Sequence, residues 1–158
     1  MPNGKKLGRP VQILLVEDSP SDALLTKEAL RQGAIHHSLH RVEDGVEALA
    51  FLRKAGKYAD VPQPDVILLD LNLLRMNGQE VLKEIRADQS LCYLPVIVLS
   101  TSEDERDVLE VYKLHANCYV AKPVGMQEFI STMQALERFW FTCVVLPLDP
   151  APLPESTR

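Results

Sequence analysis

Residues 65–70 read Asp-Val-Ile-Leu-Leu-Asp, four consecutive apolar residues between two carboxylates. An uninterrupted apolar run of this length is typical of a strand that is covered on both faces, as in the middle of a parallel sheet. Two parallel neighbours are joined by a crossover connection, which is usually a helix. The stretch therefore predicts an α/β domain whose sheet lies between two layers of helices.

The rest of the chain repeats this unit. Further apolar strand candidates lie at residues 11–16, 38–42, 95–99 and 118–121. Segments with apolar residues at helical spacing follow each strand, and the last of them continues to Trp140. Five strand–helix units in alternation indicate one doubly wound parallel sheet with right-handed crossovers and helices on both faces.

Three helix starts can be read from capping residues. Ser19 followed by Pro20 is typical of the start of a first helix, and Asp44 of the second. Ser102 with Glu105 three residues later has the pattern of a capping box, which predicts the start of the fourth helix.

Composition limits the class of protein. The 158 residues suffice for one domain with a sizeable core, and the net charge of −5 argues against a nucleic-acid partner. The N-terminus lacks a signal-peptide pattern, and the apolar stretch 139–148 is half of the ~20 residues that a membrane span needs. Three scattered cysteines, predicted to be buried or half-buried, suit a reducing compartment. We therefore expect a cytoplasmic protein without a membrane partner.

Three segments are expected along the chain. These are a flexible tail at 1–10, a globular domain at 11–138 and an aromatic, then proline-rich, extension at 139–158. Phe139, Trp140 and Phe141 make the extension more apolar than a surface helix requires. They either cover the domain's own core or form a homodimer interface, because exposed apolar patches with Trp mark association surfaces.

Polar side chains follow the ends of four predicted strands. In open parallel sheets, ligands bind outside the carboxyl ends of the strands, where the strand order reverses. The polar residues at these ends are Glu17, Asp18, Asp70, Asn72, Ser100, Thr101 and Lys122. Three carboxylates at one edge repel one another unless a cation is bound, and oxygen ligands with room for water favour Mg²⁺.

This set of residues has a definite chemistry. Asp70 is placed to act as a nucleophile that forms an acyl phosphate. Mg²⁺ would neutralise the charge on the transferring group, while Ser100 and Lys122 bind its remaining oxygens. Each residue alone is equally typical of a turn or a solvated surface charge, so the hypothesis depends on their joint arrangement.

Four blocks at these positions resemble the bacterial response-regulator receiver domain. They are residues 13–18, 67–72, 96–101 and 119–123, and the resemblance covers residues 11 to about 136. It implies a flavodoxin-like receiver fold with strand order 2-1-3-4-5. It also implies a two-component phosphorelay protein that receives a phosphoryl group from a sensor histidine kinase.

The resemblance assigns roles to the site residues. Asp70 is the implied phosphoacceptor, and Mg²⁺ is bound directly by Asp18 and Asp70, through water by Glu17, and by the backbone carbonyl of Asn72. Residues at two other strand ends contact the phosphoryl group or respond to it. These are Ser100 with the neighbouring Thr101, Lys122, the rotamer switch Tyr119, and Pro123 after a cis peptide bond.

Two residues depart from the family pattern, and other features narrow the resemblance. Leu74 replaces the usual proline four residues after the phosphoacceptor, and Glu17 replaces the commoner Asp. The run 99–102, a proline-containing loop before the third strand, and an aromatic extension that begins Arg138-Phe139-Trp140-Phe141 resemble single-domain regulators of bacterial phytochromes. This narrower resemblance implies a phytochrome-type kinase as donor and a homodimer formed through the extension.

Two alternatives remain open at this stage. The chain could be a receiver-like interaction module that signals without phosphorylation, although degenerate receivers tend to lose one of the site residues. It could also be a metal-dependent phosphatase with an aspartate nucleophile. That class needs a second Asp as general acid where this chain has Asn72. We expect a phosphoacceptor with at most self-phosphorylation and slow autodephosphorylation, not an enzyme.

Overall fold

The computed structural model describes residues 9–147, which form a five-stranded parallel sheet in the order β2-β1-β3-β4-β5. This confirms the predicted sheet and strand order. The predictions made for residues 1–8 and 148–158 lie outside the described residues. The strands are β1 (Val11–Val16), β2 (His37–Val42), β3 (Val66–Asp70), β4 (Val96–Ser100) and β5 (Cys118–Ala121).

Helices follow every strand. A short 3₁₀ turn (Gly56–Tyr58) precedes β3, and a π-helical segment (Phe139–Cys143) continues the last helix. Between residues 9 and 147, no helix combines the length and the apolar character needed to cross a membrane. The α-helices are α1 (Pro20–Arg31), α2 (Gly45–Leu52), α3 (Gly78–Ala87), α4 (Glu105–Lys113) and α5 (Met126–Arg138).

The core lies on both faces of the sheet. Alternate residues of β3 point to opposite faces, so that Ile67 and Leu69 join the cluster under α2 and α3 while Leu68 joins the cluster under α1 and α5. All five residues of β3 are buried. The uninterrupted apolar run therefore marks the central strand of the sheet.

Two of the predicted helix caps are confirmed and one is wrong. Ser19 accepts a hydrogen bond from the N–H of Asp22, and Asp44 accepts one from the N–H of Glu47. The predicted capping box at Ser102 does not form. Asp104 caps α4 instead by accepting from the N–H of Arg106, while the Ser102 hydroxyl accepts from the N–H of Asp104 at 3.3 Å and donates to the Asp107 carboxylate at 2.7 Å.

The aromatic extension divides between the core and the surface. Phe141 is 1% exposed and packs in the α1–α5 cluster, so its predicted place in a homodimer interface is wrong. Successive residues of a helical segment point in different directions, so three neighbouring rings cannot all face the core. Phe139 is 57% exposed and meets the half-buried Trp140 edge-on, and their role in a dimer stays a prediction.

Two smaller predictions also need correction. The peptide bond before Pro123 is trans, since residues 9–147 contain no cis peptide bond. The trans isomer of an X–Pro bond is favoured by about 0.5–1 kcal/mol unless the surroundings select cis. The three cysteines are free, but Cys92 and Cys143 are exposed, contrary to the prediction. Cys92 lies in a turn and Cys143 ends the π-helical segment, so neither lies in a buried strand.

A buried carboxylate lies where α5 packs on α1. Glu137 is 4% exposed, its Oε2 has no hydrogen-bond partner among residues 9–147, and it lies so close to Gly33 that a Cβ there would overlap it. Burial raises the pKa of Glu137, and the charges of His37 and Arg138 oppose this only in part. The folded protein therefore holds a proton on Glu137 more tightly than the unfolded chain does.

We expect Glu137→Gln to stabilise the protein at high pH. A raised folded-state pKa costs stability as the pH rises from the unfolded value through the folded value, because the buried group must ionise. At pH 8 the variant should be more stable by about 1 kcal/mol, and near pH 4 the two proteins should unfold alike. Urea unfolding across this range measures the difference, with the exposed Glu110→Gln as control. Parallel stability curves for parent and Glu137→Gln would contradict the prediction.

Candidate functional site

Three carboxylates converge at the carboxyl edge of the sheet. Strands β1 and β3 are paired with Val16 opposite Leu69, so the residues that come next in each strand are neighbours. One oxygen each from Glu17, Asp18 and Asp70 lies within 4.8 Å of the others. Glu17 and Asp70 are buried and Asp18 is half-buried. The structure thus brings together the acidic residues that the sequence singled out.

The side chain of Lys122 reaches into this acidic cluster. Its ammonium donates to Glu17 Oε1 at 2.6 Å and to Asp22 Oδ2 at 3.2 Å, and it lies 3.6 Å from Asp70 Oδ2. The side chain is only 5% exposed. It is positioned from β5, because the N–H of Lys122 donates to the carbonyl of Ser100 at the end of β4.

Asp22 was not identified from the sequence. It lies in the first turn of α1, which begins at the same edge of the sheet. A carboxylate four residues after the acidic pair, in the helix that starts there, is the signal that could have indicated it. Asp22 gives Lys122 a carboxylate partner outside the predicted set.

The pKa values of Glu17 and Lys122 are shifted by burial and by the neighbouring charges. Burial raises the pKa of Glu17 to about 7, the charge of Asp70 adds to this, and the hydrogen bond from Lys122 opposes it. Burial alone would lower the pKa of Lys122, but Glu17, Asp70 and Asp22 together raise it. The lysine thus stays charged and compensates part of the negative charge of the cluster.

The donor set fits a hard divalent cation. All three clustered ligand atoms are carboxylate oxygens, and the half-buried Asp18 leaves one side open to water. Mg²⁺ prefers one or two carboxylates together with waters and phosphate oxygens. The N–H of Asn72 donates to Asp70 Oδ1 at 3.4 Å, which places this backbone beside the cluster. The carbonyl of Asn72 as a further ligand stays a prediction.

The predicted hydroxyl residues lie at the end of the neighbouring strand. Asp70 pairs with Leu99 across β3 and β4, so Ser100 lies one residue beyond this pair and is fully buried. Its Oγ accepts a hydrogen bond from the N–H of Ser102 at 3.1 Å. Thr101 is exposed. Their contacts with a phosphoryl group stay predictions.

Tyr119 is tied to the loop after β4. The half-buried side chain donates its hydroxyl proton to the carbonyl of Ser102 at 2.6 Å. Its N–H donates to the hydroxyl of Tyr112 on α4 at 3.2 Å. A change of the Tyr119 rotamer would therefore break a bond to this loop.

A cavity of about 390 Å³ opens among the residues that follow β3 and β4. It lies between the loop after β3 and the loop after β4, and Leu74, which is 70% exposed, is one of the residues at its wall. The other residues that line it include Leu71, Asn72, Ser100, Ser102 and Asp107. The two loops that flank the site are thus separated by open space.

Comparisons of the sequence and of the structure with known proteins point to the same family. Residues 13–134 match the model of the response regulator receiver domain. The response regulator Rcp1 of Synechocystis sp. is 45% identical over 138 residues, which are 87% of this chain and 94% of that protein.

Two solved structures are similar over most of the chain. The Mn²⁺-bound form of Rcp1 has a TM-score of 0.85 at 45% identity, and covers 88% of this chain and 100% of that one. The phosphorylated cyanobacterial phytochrome response regulator RcpA has a TM-score of 0.85 at 43% identity, with 88% and 99% covered. These matches confirm the resemblance to receiver domains of two-component systems and to phytochrome response regulators. The chain belongs to the response regulator receiver domain family.

Proposed function

We propose that this chain is a response regulator that accepts a phosphoryl group on Asp70 from a sensor histidine kinase of the phytochrome type, with Mg²⁺ bound beside it. One observation carries the proposal: Asp70 lies buried between the carboxylates of Glu17 and Asp18 and the ammonium of Lys122. An isolated strand-end aspartate needs none of these neighbours.

The transfer is a displacement at phosphorus. A carboxylate oxygen of Asp70 forms a P–O bond as the P–N bond of a phosphohistidine on the kinase breaks, and the histidine takes up the proton that restores its neutral ring. Asp18 and Asp70, with Glu17 acting through water, would hold Mg²⁺, which would neutralise part of the charge on the transferring group. Lys122 is close enough to Asp70 to bind a phosphoryl oxygen with a modest side-chain movement.

The signal would leave through the loop after β4. A phosphoryl group on Asp70 is expected to attract the hydroxyl of Ser100, with Thr101 beside it, and the ammonium of Lys122. The N–H of Ser102 donates to Ser100, and the carbonyl of Ser102 accepts from Tyr119. A shift of Ser100 would thus disturb the bond that holds Tyr119, and this biases the loop between two states that a partner protein can distinguish.

The relatives support the partner class. RcpA is described as a cyanobacterial phytochrome response regulator, and Rcp1, a response regulator, is 45% identical to this chain. We propose a cytoplasmic protein without turnover chemistry of its own, and a homodimer in which Phe139 and Trp140 contribute to the interface. The exposed ring of Phe139 supports the dimer.

Phosphotransfer from purified kinases tests the partner. We expect a phytochrome-type histidine kinase, labelled on its histidine, to pass label to this chain well before it labels an unrelated receiver domain. A histidine kinase of another sensory class is the matched control, offered at the same concentration and for the same times. Equal or faster labelling by the control kinase would contradict the phytochrome assignment and would leave the assignment of Asp70 intact.

A further inference from the structure

The loop after β3 contains a turn that is unfavourable for its central residue. Arg75 has a φ of 59°, and the carbonyl of Leu74 accepts a hydrogen bond from the N–H of Met76 at 2.7 Å. A bond from residue i to i+2 around a positive φ defines a rare, strained three-residue turn. Residues with a Cβ avoid this conformation, so something outside the turn must hold Arg75 in it.

The side chain of Arg75 connects the turn to α2. Its Nε donates to Asp44 Oδ2 at 2.8 Å, and its Nη2 lies 3.4 Å from Glu47 Oε2. Asp44 is a rigid anchor because its other oxygen caps α2 through the N–H of Glu47, and its side chain is only 13% exposed. Glu47 is held in turn by the hydroxyl of Tyr58. Arg75 is thus bound to a preformed pair of carboxylates.

The outer part of the loop has few other restraints. Asn72 is exposed and the side chain of Leu74 is 70% exposed, so neither is held by packing. Leu73 and Met76 pack partly against the core, which anchors both flanks of the exposed tip. The exposed tip of the loop at Leu74 and Arg75 therefore depends on the ion pairs of Arg75 for its position.

We propose that Arg75 is a positioning residue for the phosphorylation site, because its ion pairs with Asp44 and Glu47 hold the strained turn and, through the neighbouring Leu73, restrain the backbone of Asn72 beside Asp70. The effect on phosphorylation of Asp70 rests on the proposed function. The geometric link to the site is the N–H of Asn72, which donates to Asp70 Oδ1 at 3.4 Å. Among the described residues, the side chain of Arg75 bonds to Asp44 and Glu47 and to none of the metal-binding carboxylates, so it acts through the loop.

Three measurements on the full chain test the proposal. In Arg75→Ala, hydrogen–deuterium exchange of residues 71–77 in metal-free protein should be faster than in the parent. Calorimetry with MgCl₂ should give a dissociation constant raised about two- to fivefold, the factor expected of a partly exposed ion pair. At saturating Mg²⁺ the rate of labelling should return to that of the parent. Arg106→Ala, which removes an exposed arginine from α4, is the matched control.

Companion variants separate positioning from a general loss of structure. Asp44→Asn keeps an oxygen for the cap of α2 but removes its charge, so it should weaken Mg²⁺ binding in the same direction as Arg75→Ala and by no more, and the double variant should be no worse than Arg75→Ala. Leu74→Pro in the Arg75→Ala background should restore Mg²⁺ affinity, because proline stiffens the chain without an ion pair. In the described structure the N–H of Leu74 makes no backbone hydrogen bond that proline would break.

The outcomes are distinct. Exchange and Mg²⁺ affinity in Arg75→Ala that match the parent would overturn the role of Arg75. A failure of Leu74→Pro to recover affinity, together with a lowered melting temperature in Arg75→Ala, would reduce Arg75 to a structural residue and would also overturn it. If Arg75→Ala weakens Mg²⁺ binding but the parent takes up no phosphoryl group, the proposed function fails while the positioning role stands.

Discussion

Replacing Asp70 by Asn is expected to abolish phosphoryl uptake without unfolding the protein. The amide is close in size to the carboxylate but cannot form the acyl phosphate, because its nitrogen and oxygen lack the negative charge of the nucleophile. The change also removes one charge from a buried acidic cluster, so the fold should tolerate it. Transfer of ³²P from a phosphorylated histidine kinase measures the effect. Asp60→Asn, at an exposed site before β3, is the matched control.

Residual labelling would point to a different acceptor. Asp18 shares the cluster with Asp70 and is half-buried, so it is the alternative carboxylate within reach of the same donor. Label that persists in Asp70→Asn and disappears only when Asp18 is also replaced would contradict the assignment. Loss of label together with a normal melting temperature is the result that we expect.

Replacing Lys122 by Met is expected to destabilise the metal-free protein by about 3 kcal/mol, the scale for a buried charge that loses its partner. The ammonium lies 2.6 Å from Glu17 Oε1 and 3.6 Å from Asp70 Oδ2, and all three side chains are almost fully buried. Methionine fills a similar volume but leaves these carboxylates without compensation. Urea unfolding in the presence of a chelator measures the loss.

Mg²⁺ should reduce this loss. A bound cation supplies positive charge at the same carboxylates, so saturating MgCl₂ should stabilise Lys122→Met more than it stabilises the parent. Lys113→Met, an exposed lysine at the end of α4, is the control and should change little in either condition. Equal stability of the parent and Lys122→Met in chelator would show that Lys122 does not balance the cluster.

The fold was predictable because burial on both faces leaves a clear pattern. The apolar run that ends at Asp70 identified the central strand, and polar residues at strand ends marked the edge where the site lies. Parallel pairing alone then brings the residues after β1 and β3 together. The ends of the predicted strands therefore sufficed to identify Glu17, Asp18 and Asp70 from the sequence.

Features that depend on side-chain direction were not predictable. Phe141 points into the core while Phe139 points outward. The two are the same residue type in one short segment, so the sequence does not distinguish their directions. Asp22 and Arg75 act through partners distant in sequence, Lys122 and Asp44, and no local pattern encodes such pairs. The hydrogen bond from Ser102 to a carboxylate likewise replaced the expected cap.

One measurement tests the central claim that Asp70 is the Mg²⁺-dependent phosphoacceptor. The chain is incubated with a small phosphodonor such as acetyl phosphate, with MgCl₂ or with chelator, and intact mass spectrometry counts the phosphoryl groups. Borohydride then reduces the acyl phosphate to an alcohol, and peptide mapping locates the reduced residue. We predict one phosphoryl group, present only with Mg²⁺ and mapped to position 70. Uptake that is independent of Mg²⁺, or reduction at any other residue, would contradict the account.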